Sequence, residues 1–321
     1  MSPTTFDEAA ANYDAQLNQG LAITGEDKEY FAERRMIHLA NCLDALAFEA
    51  REVLDFGCGT GTATPCFFRH LRARSLWGLD VSDMSLEVAR ARYRDYPARF
   101  LKLAAFQPQE NVGAPRFGRS DLGWPGSSGH RREALVGEPP EIQGSGGSLR
   151  STPATLPCDL GLLNVDLAFC NGVFHHIPIH QRDDSLRRVF AALRPGGLLA
   201  FWENNPWNPG TRYVMSRVPF DRDAIVISPP QARRILRHAG FEVLRTDFLF
   251  FFPAILRRLR GLERHLVKLP LGGQYQVLCR KPAAGAATAV RTSGAAAAPR
   301  FGGRCDRGDG SATPPDQSTF P

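Results

Sequence analysis

Short apolar runs alternate with amphipathic stretches along most of the chain, the pattern of strands buried on both faces with helices laid over them. The runs Glu52–Phe56, Ser75–Asp80, Phe100–Leu103, Asn164–Asn171, Leu198–Trp202, Phe241–Phe248 and Gln274–Cys279 predict seven strands. Between them, Thr62–Leu71, Asp83–Asp95, Arg182–Leu193 and Pro229–Ala239 carry the three-to-four-residue spacing of helices. Pro65 falls near the first turn of the first helix, Ser82 or Asp83 caps the second, and Gly240 stops the last. Leu193-Arg194-Pro195-Gly196-Gly197 reads as a turn into strand five. Two more amphipathic segments, Phe6–Asp14 and Asp27–Met36, precede the first strand and predict a helical N-terminal segment over 1–47. This is an α/β chain with its main domain at 48–282.

Twice the pattern stops. Between Ala105 and Pro157 there are nine glycines and seven prolines with almost no apolar period, which predicts a disordered insertion rather than another domain. From 283 to 321 a glycine, alanine, proline and arginine mixture predicts a disordered low-complexity tail.

The densest chemistry lies at the first strand, in Val53-Leu54-Asp55-Phe56-Gly57-Cys58-Gly59-Thr60-Gly61, followed after about twenty residues by Trp77-Gly78-Leu79-Asp80. Three glycines at alternate positions let the backbone turn sharply against a ligand with no side chain in the way. Asp80 falls at the carboxyl end of strand two, where open α/β sheets bind ligands and where an acid can accept both hydroxyls of a ribose. A dinucleotide fingerprint wants glycine or alanine at the sixth position of G-x-G-x-x-G, and here that position is Thr62. Asp55, just before the loop, is placed to bind an ammonium group.

Together these residues resemble motifs I and II of class I S-adenosylmethionine-dependent methyltransferases. Cys170-Asn171-Gly172-Val173-Phe174-His175-His176-Ile177 and Leu193–Gly197 resemble that family's segments after strand four and before strand five. The resemblance spans about Phe6 to Lys281 apart from the insertion, and is to bacterial small-molecule enzymes. It implies a Rossmann-like seven-stranded methyltransferase sheet with helices on both faces and the last strand antiparallel, the N-terminal helices covering the cofactor. It implies S-adenosyl-L-methionine as cofactor, held by Asp55, Gly57, Cys58, Gly59, Gly61, Asp80, Val81 and Asn171. The family usually places an acid just after strand three for the adenine amino group. Here Ala104 and Ala105 stand there, or Ser151, Thr152 and Pro153 if the pattern resumes after the insertion.

For the acceptor, His175 and His176 lie on the substrate side as candidate catalytic bases, either one serving, although a loop histidine that only packs or caps has the same signature. Glu203, Asn204 and Asn205 follow strand five as candidate substrate contacts, and Asn-Pro turn chemistry accounts for them equally. The expected partner is a small-molecule methyl acceptor, aromatic or lipid-like. No metal is required, since in-line transfer draws its acceleration from alignment. Alternatives are a weakened or inactive scaffold relative and, behind it, a nicotinamide-dependent dehydrogenase.

Charge and cysteines narrow the setting. The net charge is +6, and Arg212–Lys268 holds twelve Arg/Lys against five Asp/Glu. That excess is small for phosphate tracking, and Asn171-Gly172-Val173-Phe174 is not the Asn/Asp-Pro-Pro-aromatic grip of amino-directed base methylases, so no nucleic-acid partner is expected. Phe248–Phe252 beside Arg257, Arg258 and Arg260 makes peripheral membrane or lipid contact through 248–268 an expectation, though a solvated basic helix face reads the same way. Seven cysteines without a C-x-x-C pair, and a polar, acidic start at Met1–Glu8, point to reduced thiols and a cytoplasmic location. The pattern sets no oligomeric state.

Overall fold

The computed structural model describes residues 13–103, 160–218, 221 and 224–283. The chain divides into two units, Met1–Pro282 and Ala283–Pro321, and every element named below belongs to the first. Residues 1–12 of the expected N-terminal segment, the 105–157 insertion with Ala104, Ala105 and Ser151–Pro153, and the tail from 284 onward lie outside the described residues.

Helices α1 (Tyr13–Leu21) and α2 (Lys28–Ala45) come first. They are followed by β1 (Glu52–Phe56), α3 (Thr64–His70), β2 (Ser75–Asp80), α4 (Asp83–Arg92) and β3 (Ala98–Lys102). After the insertion come β4 (Val165–Asn171), α5 (Ile179–Ala192), β5 (Leu193–Asn204), α6 (Pro209–Arg217), α7 (Pro229–His238), β6 (Glu242–Leu249), a 3-10 helix (Ala254–Leu262), α8 (Glu263–Leu266) and β7 (Gln274–Arg280). The strands form one sheet in the order β3-β2-β1-β4-β5-β7-β6. β1 to β5 pair in parallel, and β7 runs antiparallel to both of its neighbours. This is the Rossmann-like methyltransferase sheet.

Both faces of the central strands are covered, which is why they are apolar without interruption. On one face Leu54 and Phe56 of β1, Cys170 of β4 and Phe201 of β5 meet Leu186 and Val189 of α5 and Leu236 of α7. On the other, Val53, Phe169 and Trp202 meet Met36, Leu39 and Leu43 of α2 and Phe67 of α3. At full burial each such side chain contributes about 1.5–3 kcal/mol, so the central strands hold their helices in place chiefly through apolar area.

Ser82 is the cap of α4, its hydroxyl accepting from the Ser85 amide at 3.2 Å. The Leu193–Gly197 segment, expected as a turn, is instead the bulged start of β5. Its pairing jumps from Val165↔Leu193 to Leu167↔Leu198. Gly196 donates to the Lys281 carbonyl at 2.9 Å and Gly197 accepts from the Lys281 amide at 2.8 Å, so these backbone groups are satisfied by the strand end instead of by a turn. In the Asn-Pro stretch after β5, Asn205 makes the turn, its side-chain oxygen accepting from the Trp207 amide at 3.2 Å, and Asn208 caps α6, its side chain accepting from the Thr211 amide at 2.9 Å with Pro209 in the first turn.

Candidate active site

The carboxyl ends of β1, β2, β4 and β5 meet in one region. The loop after β1 turns on three glycines in the left-handed region, with φ of 78° at Gly57, 52° at Gly59 and 75° at Gly61. Their surroundings differ. A Cβ on Gly57 would lie 2.2 Å from Val173 Cγ2, and one on Gly61 would lie 2.9 Å from the Tyr93 ring, whereas one on Gly59 would meet nothing within 4 Å. Gly57 therefore lets the loop after β4 pack against the loop after β1, and Gly59 opens the concave face.

Asp80 organises this loop. One carboxylate oxygen accepts from the Gly59 amide at 2.8 Å and the other from the Ser82 amide at 3.0 Å. Cys58 fills space beneath, with its sulfur 3.1 Å from where a Cβ on Gly78 would stand, and burial pushes its thiol up, which keeps it protonated. Val81 is partly buried against the core.

Asp55 is 3% exposed and accepts no hydrogen bond among the described residues. Burial and the nearby Asp80 charge push its carboxyl up to about 7, against the opposing field of Arg35. Asn171 Oδ1, at the end of β4, is likewise buried without a hydrogen-bond partner among the described residues. A buried acid short of positive charge, an amide oxygen short of a donor and an open glycine suit a cationic, hydrogen-bond-donating ligand, so the residues present fit S-adenosylmethionine.

Sequence reasoning missed the contribution of α2. Its buried stripe runs Lys28, Ala32, Arg35, Met36, Leu39, Cys42 and Leu43, so two cations sit on the apolar face. Lys28 Nζ donates to Thr62 Oγ1 at 3.0 Å, tying α2 to the glycine loop. Arg35 donates to Gln274 Oε1 at 2.8 Å and supplies the field on Asp55. Basic residues inside an apolar helical stripe were the available signal.

The acceptor-side candidates form a separate cluster. His175 is 3% exposed, with Nδ1 2.5 Å from Glu203 Oε2 and Nε2 3.5 Å from Asp221 Oδ1. Burial opposes its charge, yet the two carboxylates overcome this and raise it to about 10, so the ring is a buried imidazolium. Glu203, 1% exposed, spends its other oxygen on the Phe174 amide at 2.9 Å. His176 stacks beside His175, ring centroids 4.1 Å apart, with Nε2 3.3 Å from Asp221 Oδ1. Burial, reinforced by the His175 charge, pulls His176 below its ordinary value against the pull of Asp221, so it is neutral near pH 7. Burial opposes ionisation of Asp221, but hydrogen bonds from both rings bring it down to about 2. Asp221 carried no signal in the sequence, being distant from the histidines in the chain.

The two asparagines at the end of β5 are engaged within the protein. Asn205 is wholly buried, its amide donating to the carbonyls of Pro270 at 3.0 Å and Gly272 at 2.8 Å while its oxygen accepts from the Trp207 amide at 3.2 Å. Asn204 accepts from Gln274 at 3.0 Å. Among the described residues, two groups of donor atoms within 4.8 Å have metal-ligand character, His38/Cys42/Asp247 and His175/His176/Asp221. In the first, Arg245 and Lys268 each stand 2.6 Å from Asp247 and would repel a cation. Cys42, Cys58, Cys66, Cys170 and Cys279 are free thiols, and no described helix is long and apolar enough to cross a membrane.

Among solved structures, the chain is similar to an S-adenosylmethionine-dependent methyltransferase from Mesorhizobium loti, at 17% identity and TM-score 0.43, over 75% of this chain and 96% of that one. It is similar to the methyltransferase CalH in complex with SAH, at 17% identity and TM-score 0.47, over 79% of this chain and 58% of that one. A third is a possible histamine N-methyltransferase from Thermotoga maritima, at 16% identity and TM-score 0.44, over 79% and 90%. Likeness at this level carries no argument about the substrate. Among curated proteins no significant sequence match is found. The family model described as methyltransferase domain matches residues 29–246, which take in the glycine loop, Asp80, both histidines and Asp221. With that match across most of the chain, the protein belongs to the methyltransferase domain family and is a class I S-adenosylmethionine-dependent methyltransferase.

Proposed function

We propose that the protein methylates a small-molecule acceptor at the carboxyl end of β4, with His176 as the base that takes the acceptor's proton. The observation that carries this reading is the pairing of His176, lowered from its ordinary value, with Asp221 at 3.3 Å beside a His175 that burial between two carboxylates keeps charged near neutral pH. If Nε2–H donates to Asp221, the basic lone pair is on Nδ1, the arrangement of a base held by an orienting carboxylate. His175 then acts through position. Locked between Glu203 and Asp221, it fixes the loop that presents His176 and, by its charge, keeps His176 deprotonated.

On the cofactor side, Asp55 would hold the ammonium end, the Gly59 face would take the methionine portion, and Asp80 would present its carboxylate to the ribose. Asn171 would accept a hydrogen bond from the bound cofactor. When bound, S-adenosylmethionine supplies an electrophilic methyl group on a sulfonium. The chain's residues need only align the acceptor, exclude water and remove one proton.

Two measurements test this. Incubation with labelled cofactor and extract, followed by identification of the labelled product, names the acceptor. With that acceptor in hand, His176→Ala should lower kcat by about 10²–10⁴, the usual range for a positioned base, with cofactor affinity unchanged. Undiminished kcat would remove His176 from the chemistry. Titration of the wild type with S-adenosylmethionine also decides the second reading, a weakened binder, which predicts no heat at millimolar cofactor.

A further inference from the structure

One surface contains none of the residues assigned above to cofactor or acceptor. The 3-10 helix Ala254–Leu262 contains no buried residue. Ile255 is 89% exposed, and Leu256, Leu259, Leu262, Leu269 and Leu271 are exposed as well. In a 3-10 helix residues three apart stack in one row. Leu259 and Leu262 share such a row, with Leu256 one turn earlier at a kink.

The segment is nonetheless anchored firmly from behind. Arg260 Nη1 lies 2.7 Å from Glu26 Oε1, and its guanidinium stands 4.7 Å over the Tyr30 ring. Glu263 accepts from the amides of Phe251 and Phe252, each at 3.1 Å. Glu263 is the only acid between 254 and 271, and its carboxylate is thus turned back toward the protein. Arg257, Arg258 and Arg264 remain exposed on the outside, whereas the Lys268 ammonium is turned back to Asp247 at 2.6 Å. Beside them is Trp207, 50% exposed, in the turn whose Asn205 and Asn208 side chains bond the carbonyls of Pro270 and Leu271.

We propose that this face docks the protein on an anionic phospholipid surface. An exposed aliphatic row, flanking arginines with no outward acid, and an aromatic side chain at the rim are the composition of an interfacial element whose apolar face enters the acyl boundary while its cations meet headgroups. The excess of positive charge favours an anionic bilayer over a second copy of this chain, whose equivalent patch would repel it. The inference stands apart from the identity of the acceptor.

Co-sedimentation of the full chain with vesicles tests it, using phosphatidylglycerol mixed into phosphatidylcholine against phosphatidylcholine alone, at low and high salt. The wild type should pellet with the anionic vesicles at low salt and be released by salt. Arg257→Gln with Arg258→Gln should weaken partitioning by roughly fivefold per arginine. Leu256→Glu, Leu259→Glu and Leu262→Glu together should weaken it by tenfold or more, while titration with S-adenosylmethionine shows the site intact. Absence of wild-type binding, or binding unchanged in either variant, overturns the proposal. So does light scattering that shows a dimer dissolved by the leucine variant without vesicle binding by the wild type, which would give the face to a second copy.

Discussion

Asp55 and Glu203 are both buried carboxylates near the carboxyl ends of strands separated only by β4, and they differ in what surrounds them. Glu203 has both oxygens engaged, by the Phe174 amide and by His175, whose charge it stabilises. Asp55 accepts no hydrogen bond among the described residues, feels Arg35 only through its field, and is pushed up to about 7. The first is complete within the protein and fixes a loop, while the second is buried without such a partner among the described residues. Under the function proposed above, the unmet demand of Asp55 is what a cationic ligand would satisfy, whereas the demand of Glu203 is already met within the fold.

The comparison breaks most readily at the satisfied end. Glu203→Gln leaves His175 short of one of its two carboxylates in a buried site and should destabilise the fold by about 3 kcal/mol, read from denaturant unfolding. A change under about 1 kcal/mol would show that Asp221 alone suffices. Gly57→Ala should cost a similar amount, since its methyl would overlap Val173 at a positive φ. Gly59→Ala should cost only about 1 kcal/mol of backbone strain in stability, because its methyl meets nothing within 4 Å, yet weaken cofactor binding if that open face is the cradle. Equal effects of the two alanines on binding and stability would dissolve the distinction between them.

At the unsatisfied end, Asp55→Asn should reduce cofactor affinity by roughly ten- to hundredfold in a calorimetric titration, the loss of about one charge-assisted contact. The ligand-free protein should lose no stability, because the substitution removes a poorly compensated charge. The same end of the comparison can also be read through pH. The Asp55 carboxyl stands at about 7 in the folded protein against an ordinary 3.8. Between those values the folded state binds a proton that the unfolded state does not, so this group's contribution to stability falls as pH rises toward 7. Cofactor binding needs the ionised form and should therefore strengthen from pH 6 to 7.5, a trend that Asp55→Asn should abolish. His175 behaves differently. Raised to about 10 from 6.5, it contributes stability fully below 6.5 and loses it as pH climbs toward 10. Asp221, lowered to about 2, contributes above its ordinary 3.8 and loses that contribution as pH falls toward 2.

The geometry of the glycine loop was largely legible in the sequence, because it is local. A strand, three alternate glycines and an acid at the end of the next strand follow from short-range backbone preference and a spacing of about twenty residues. The cluster around Glu203 and Asp221 was legible only as a pair of histidines. Their different protonation depends on Glu203 and Asp221, which lie far along the chain and approach only when β5 and the segment after α6 fold back. The bulged start of β5 was misread for the same reason, since its glycines are satisfied by Lys281 at the end of β7.

By itself the sequence determined the α/β class, seven strands, the glycine loop between Asp55 and Asp80 and the family they resemble, since periodicity and turn chemistry act between near neighbours. Only the tertiary structure decided that Lys28 and Arg35 turn inward to the glycine loop and strand one, that His175 is raised and His176 lowered from the ordinary imidazole value, and that Asp55 is buried with no hydrogen bond among the described residues. Burial and the field of a distant partner set these properties, and neither exists until the chain is folded.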